Sequence, residues 1–149
     1  KKILPTLLSR CINFKIFLTN RENLEITNYL VNGKLDDLVN KDLINYYLTP
    51  GNIFNLIKFA KVNKLNLLNF DLKGFLKIII NKSYYKNDVL MKHMVFDLME
   101  FYFRKINSSF SNNVINKYSY YLKKISDTKR FNLDSESLFT EFYEEVLDG

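Results

Sequence analysis

Only four glycines and two prolines interrupt this chain of 149 residues. Glycine weakens a helix through its backbone entropy, and proline breaks one through its missing N–H and clashing ring. A chain so poor in both, with apolar residues recurring three and four apart, is constrained towards long packed helices. A hydrophobic share of 47% and an aromatic share of 15% supply the core such helices need and exclude a disordered chain. The length suits one ordinary domain or two small ones. The fold class read from the sequence is mainly α.

Local signals place the elements. Ile12, Phe14 and Ile16 alternate with Asn13 and Lys15, so Cys11 to Leu18 reads as a short strand. Thr19-Asn20-Arg21-Glu22 matches a capping box, which predicts a helix to about Val31 ended by Gly33 in a left-handed turn. Leu35, Leu38, Val39, Leu43, Tyr46 and Tyr47 follow at helical spacing. Thr49 and Pro50 mark the next start, with Ile53, Leu56, Ile57 and Ala60 as its apolar stripe. Residues 63–69 lack periodicity and read as a boundary between two helical units.

Leu72, Phe75, Leu76, Ile79 and Ile80 open the second unit. A long helix is expected from about Asn87 to Ile106, facing inward through Leu90, Met94, Leu98, Phe101 and Tyr102. Ser111 is placed to cap another, with Val114, Ile115, Tyr118, Tyr121, Leu122 and Ile125 inward. Asp134 caps the last, with Leu133 and Leu138 spaced for a hydrophobic staple and Leu138, Phe142, Val146 and Leu147 buried.

The net charge is +6, yet no block of five or six consecutive basic residues occurs. Lysine is spread along the chain, so the basic balance reads as general composition before it reads as a nucleic-acid footprint. The lone Cys11 excludes an internal disulfide and a multi-cysteine zinc site, which suits a reducing, cytoplasmic setting. Runs such as Ile78-Ile79-Ile80 are far too short to span a bilayer, and the beginning shows no signal-peptide pattern. The first residues, Lys1-Lys2-Ile3-Leu4-Pro5, read as though cut from inside a longer protein.

Few residues carry the pattern of a reaction centre. Cys11 begins a strand and reads as a small buried apolar residue. His93 has no second ligand at metal spacing. Asp36-Asp37 and Glu144-Glu145 are sequence neighbours whose side chains point apart on a helix, so they read as solvated faces. The chain has no Gly-x-x-x-x-Gly-Lys-Ser/Thr loop to cradle a nucleotide phosphate.

The informative stretch is Ile3-Leu4-Pro5-Thr6-Leu7-Leu8-Ser9-Arg10-Cys11-Ile12-Asn13-Phe14. It resembles the Ser-Arg-Cys motif of clamp-loader subunits of the AAA+ class, most closely the delta-prime type of bacterial DNA polymerase III. Thr49-Pro50-Gly51 is similar to the start of that family's last lid helix. Phe131-Asn132-Leu133-Asp134 resembles the Asn-Leu-Asp that opens its final helix. Clamp-loader subunits that hydrolyse ATP commonly carry an Arg-Asp pair after the Pro-Gly step. Asn52-Ile53 stands there instead, which favours the delta-prime type over the motor type and puts nucleotide sensing by this lid in doubt.

The resemblance implies three parts: residues 1–18 as the trailing edge of an AAA+ core, 19–66 as a helical lid and 67–149 as a helical collar. It implies that Arg10, supported by Ser9, serves as an arginine finger in trans. ATP and magnesium would lie at the neighbouring subunit's interface, with no cofactor bound by this fragment. Its partners would be other clamp-loader subunits through the collar, then the sliding clamp and primed DNA. The fragment would not be catalytic alone, and its parent would belong to a DNA polymerase holoenzyme. Two alternatives stay open: the motor subunit of the same complex, and a free-standing basic helical module that binds nucleic acid or protein.

Overall fold

The computed structural model describes residues 18–44, 49–86, 88–106 and 112–148, without the side chains of 112–114. Six α-helices occur among the described residues, and no strand does. They are α1 (Asn20–Val31), α2 (Pro50–Val62), α3 (Leu72–Asn81), α4 (Val89–Ile106), α5 (Asn112–Phe131) and α6 (Ser135–Phe142). A π-helical turn, Tyr143–Leu147, continues α6. The chain is mainly α, as the sequence implies. The expected strand lies outside the described residues except for Leu18, which is exposed and in no regular element.

Helix starts follow the local chemistry. Thr19 and Glu22 form the full capping box: the threonine hydroxyl accepts from the Glu22 N–H, and the Glu22 carboxylate accepts from the Thr19 N–H at 2.7 Å. Thr49 caps α2, with Pro50 at the first helical position. Asp71 caps α3 by accepting from the Gly74 N–H at 2.7 Å. A Cβ at Gly74 would lie 2.8 Å from that same Asp71 oxygen, so glycine permits the close approach. Asp134 accepts from Glu136 and Ser137 at the start of α6.

Helix ends differ from expectation. The left-handed residue after α1 is Asn32 (φ 52°), and no glycine among the described residues has positive φ. Asparagine tolerates this region through its short polar side chain. Gly33 instead donates its N–H to the Asn28 carbonyl, the longer bond of a Schellman ending. The same bond pattern closes α2 at Lys64 and α5 at Asn132, through Leu65 to Ala60 and Leu133 to Thr128. Leu133 therefore finishes α5 and stays half exposed, while Leu138, its expected staple partner, is buried.

The helix expected through Leu35 to Leu43 is two 3-10 turns, Leu35–Asp37 and Lys41–Leu43. The Asn40 side chain accepts from the Asp42 N–H and starts the second turn. Leu35, Val39 and Leu43 are still buried. Tyr46 and Tyr47 lie outside the described residues, as do Ser111 and the Val114 side chain.

The buried residues form one hydrophobic cluster running from Leu35 to Leu147. It crosses the expected boundary at 66/67. Asn40 donates its N–H to the Leu67 carbonyl at 3.2 Å, and Lys105 pairs with Asp42 at 2.7 Å. Helix α4 lies at the centre and buries Met91, Met94, Val95, Phe96, Leu98, Met99 and Phe103. Leu90, expected inside, is 58% exposed, and Phe101 and Tyr102 are half-buried. In α5, Tyr121 and Ile125 are buried, Tyr118 and Leu122 half-buried, and Ile115 exposed.

Phe142 is fully buried against the rings of Tyr102, Phe103 and Tyr121, at centroid distances of 6.0, 5.6 and 5.5 Å. Removing a buried phenylalanine side chain costs about 3–5 kcal/mol. Phe142→Ala is expected to lower the unfolding free energy from urea titration by that amount, whereas Leu90→Ala at an exposed site is expected to leave it nearly unchanged. Lys64→Gly is expected to raise stability by about 1 kcal/mol, because glycine meets no Cβ clash at positive φ.

Candidate functional site

The described helices form an open cleft with a mostly apolar lining, between α2 and the start of α4. Its opposite walls are set by sequence elements about 30 residues apart. On α2, the capped and proline-led start fixes the rotation that buries Ile53, Leu56, Ile57 and Ala60. That rotation turns Phe59 to the edge of the core and Asn55, Lys58 and Val62 outward. On α4, Asp88 fixes the start: its Oδ1 accepts from the N–H groups of Leu90 and Met91 at 2.8 and 3.2 Å. Met91 and Met94 then point inward, one turn apart.

The cleft holds about 400 Å³. Phe59, Tyr84, Met91 and Met94 line it, with Phe59 and Tyr84 edge to face at 5.3 Å and 83°. Val62 and Leu90 stand on either side, and Asn55, Lys58, Asn63 and Asp88 supply its polar groups. Val62 is 73% and Leu90 58% exposed. Lys58 forms no ion pair with any described carboxylate. This chemistry is that of a surface that receives an apolar group. It brings together no set of three His, Cys, Asp or Glu side chains to hold a metal, and none occurs elsewhere among the described residues.

Other lysines are engaged. Lys77 pairs with Asp148, Lys86 with Glu136, and Lys129 with Asp97 and Glu100. Between α5 and α6, Lys124 bonds both oxygens of Glu141, and the Tyr120 hydroxyl donates to Glu141 Oε1 at 2.7 Å. The bond from Lys124, then that from Tyr120, holds the Glu141 carboxyl below its ordinary value. The same bond to Glu141 raises Lys124. Nearby, the Tyr121 hydroxyl donates to Glu145 Oε2 at 3.2 Å. Burial above all, with Glu145 beside it, pushes the Tyr121 phenol up.

The described residues singled out by sequence do not gather at one site. Ser9, Arg10 and Cys11 lie outside the described residues. His93 is exposed on α4. Asp36 and Asp37 are exposed, and of the Glu144-Glu145 pair only Glu145 is tied down, by Tyr121. Asn52 spends its N–H on the Thr49 cap, and Ile53 is buried. The cleft itself went unread, because Phe59, Tyr84 and Met91 carry no motif. The exposed Val62 at the end of an otherwise amphipathic helix was its one sequence trace. In comparison with known proteins, no family model, curated protein or solved structure matches the chain.

The α5–α6 contact has a definite pH response. A carboxyl held low in the folded state contributes stability above its unfolded value near 4.5 and loses it as pH falls through the lower folded value. The raised Lys124 contributes below 10.5 and loses its share only as pH rises through its higher folded value. Glu141→Gln is therefore expected to destabilise at neutral pH and to flatten the decline below about pH 4.5, as read from melting temperature against pH. Parallel curves for both proteins would leave the contact without energetic weight.

Proposed function

We propose that this chain is the C-terminal part of an AAA+ clamp-loader subunit of the delta-prime type, working in the cytoplasm. In this reading it helps load a sliding clamp onto primed DNA and offers Arg10 to the ATP site of a neighbouring subunit. The observation that carries the reading is the run from Ile3 to Phe14, with Ser9-Arg10-Cys11 at its centre and a capping box at Thr19. Further support comes from the helical character of the residues that follow and from the caps at Thr49 and Asp134, both within stretches that resemble the family. Residues 19–66 would act as lid and 67–149 as collar.

Arg10 suits the role chemically. Phosphoryl transfer gathers negative charge on the γ-phosphate and the bridging oxygen, and a guanidinium is planar, always protonated and able to bond phosphate through two N–H groups. An arginine supplied in trans contributes about 10³–10⁵ in rate, or about 4–7 kcal/mol of barrier. The nucleotide and its magnesium would be held by the neighbour, since this chain carries no phosphate loop. A free-standing nucleic-acid module would instead draw on a continuous face of free cations. Here Lys77, Lys86, Lys105, Lys124 and Lys129 all pair with carboxylates.

In the reconstituted complex with clamp and primed DNA, Arg10→Ala is expected to slow ATP turnover by at least about tenfold, within the range of arginine fingers. Gel filtration is expected to show normal assembly. Arg10→Lys should restore only part of the rate, because an ammonium keeps the charge and loses the fork. Ser9→Ala should be milder. Unchanged turnover in an assembled Arg10→Ala complex would remove the proposed role.

A further inference from the structure

The cleft between α2 and α4 has a deformable floor. Met91 and Met94 are flexible thioethers, able to shape themselves around an incoming side chain, and the Phe59–Tyr84 pair gives them a firm backing. Its apolar character does not stop at the opening. Val62 and Leu90 carry it outward, at 73% and 58% exposure. A small molecule seated on the floor would leave these two in water. A segment of polypeptide laid across the cleft would put one side chain into it and cover the rest.

Charge narrows the partner. Asp88 is committed to the start of α4, where its Oδ1 takes two backbone N–H groups and the positive end of the helix offsets its charge. Lys58, on the opposite wall, forms no ion pair with any described carboxylate. Of the two charged residues on the rim, Lys58 is thus the one not engaged by the described residues. The chain as a whole carries +6, which opposes docking of a second copy. We propose that this cleft docks a segment of a partner protein that inserts a large apolar side chain and places a carboxylate near Lys58. The inference does not rest on the clamp-loader reading.

The probes are two fluorescein-labelled helical peptides of about 14 residues, with leucine and phenylalanine at i, i+3, i+4 and i+7, one filled out with glutamate and the other with lysine. Fluorescence anisotropy with the 149-residue chain is expected to show saturable binding of the glutamate peptide, at least about tenfold tighter than the lysine peptide. Leu90→Asp and Val62→Asp alter exposed positions, so circular dichroism should show intact folding while glutamate-peptide binding falls at least about tenfold. Lys58→Glu should reverse the preference between the two peptides. Three results would overturn the proposal. The first is no saturable binding of the glutamate peptide. The second is binding indifferent to Leu90→Asp. The third is a dimer in sedimentation that Leu90→Asp dissolves, which would give the cleft to a second copy.

Discussion

The described part of the molecule depends on the burial of α4 from several sides at once. Isolated helices of this length are marginal in water, because nucleation is costly and each residue adds little. What holds them is a shared apolar neighbour. Phe96 meets Phe139, Phe103 meets Tyr121 and Phe142, and Met91 and Met94 meet the edge of α2 at the cleft. One 18-residue helix thus touches elements drawn from most of the described chain. Its C-terminal turns are sealed by aromatic rings, whereas its first turn is left open beside Phe59 and Tyr84. The same helix carries both closely packed and exposed apolar surface.

That position explains what the sequence disclosed and what it hid. Starts were legible because a cap is local: Thr19 with Glu22, Thr49 with Pro50, and Asp134 each satisfy N–H groups within three residues. Ends were less so. Gly33 was the expected left-handed residue, yet Asn32 takes that conformation because the Schellman bond from Gly33 to Asn28 fixes the count. The facing of α4 was misread at Leu90 because a helix buried on several sides has no single stripe. Phe59 and Phe139 were missed for the same reason: each extends an apolar arc beyond the positions that a one-sided pattern selects. The cleft required tertiary knowledge, since nothing in the sequence sets Phe59 beside Tyr84.

The charges divide the surface into two regimes. Around α5 and α6, Lys124, Lys129, Glu141 and Glu100 answer one another, and Lys117 reaches the Glu145 carbonyl at 3.0 Å. Such exposed pairs are each worth little and are screened by salt. Near the cleft the balance differs. Asp88 is absorbed by the helix start, and Lys58 forms no ion pair among the described residues.

Arginine fingers place a further demand on such a body. Their worth comes from a guanidinium held where charge develops, and a displacement of about 1 Å can cost a hundredfold. In the proposed clamp-loader role, Arg10 would be held by the assembly on one side and by the helical body on the other. The capping box at Thr19 fixes the first turn of α1, nine positions after that arginine in the sequence. The Glu22 carboxylate in that box sits low, through its bonds to the Thr19 backbone and hydroxyl, and so stays ionised across the neutral range. Beyond it, Thr27 is buried in α1 and its hydroxyl bonds back to the Asn23 carbonyl, with no side chain long enough to hold the helix off its neighbour.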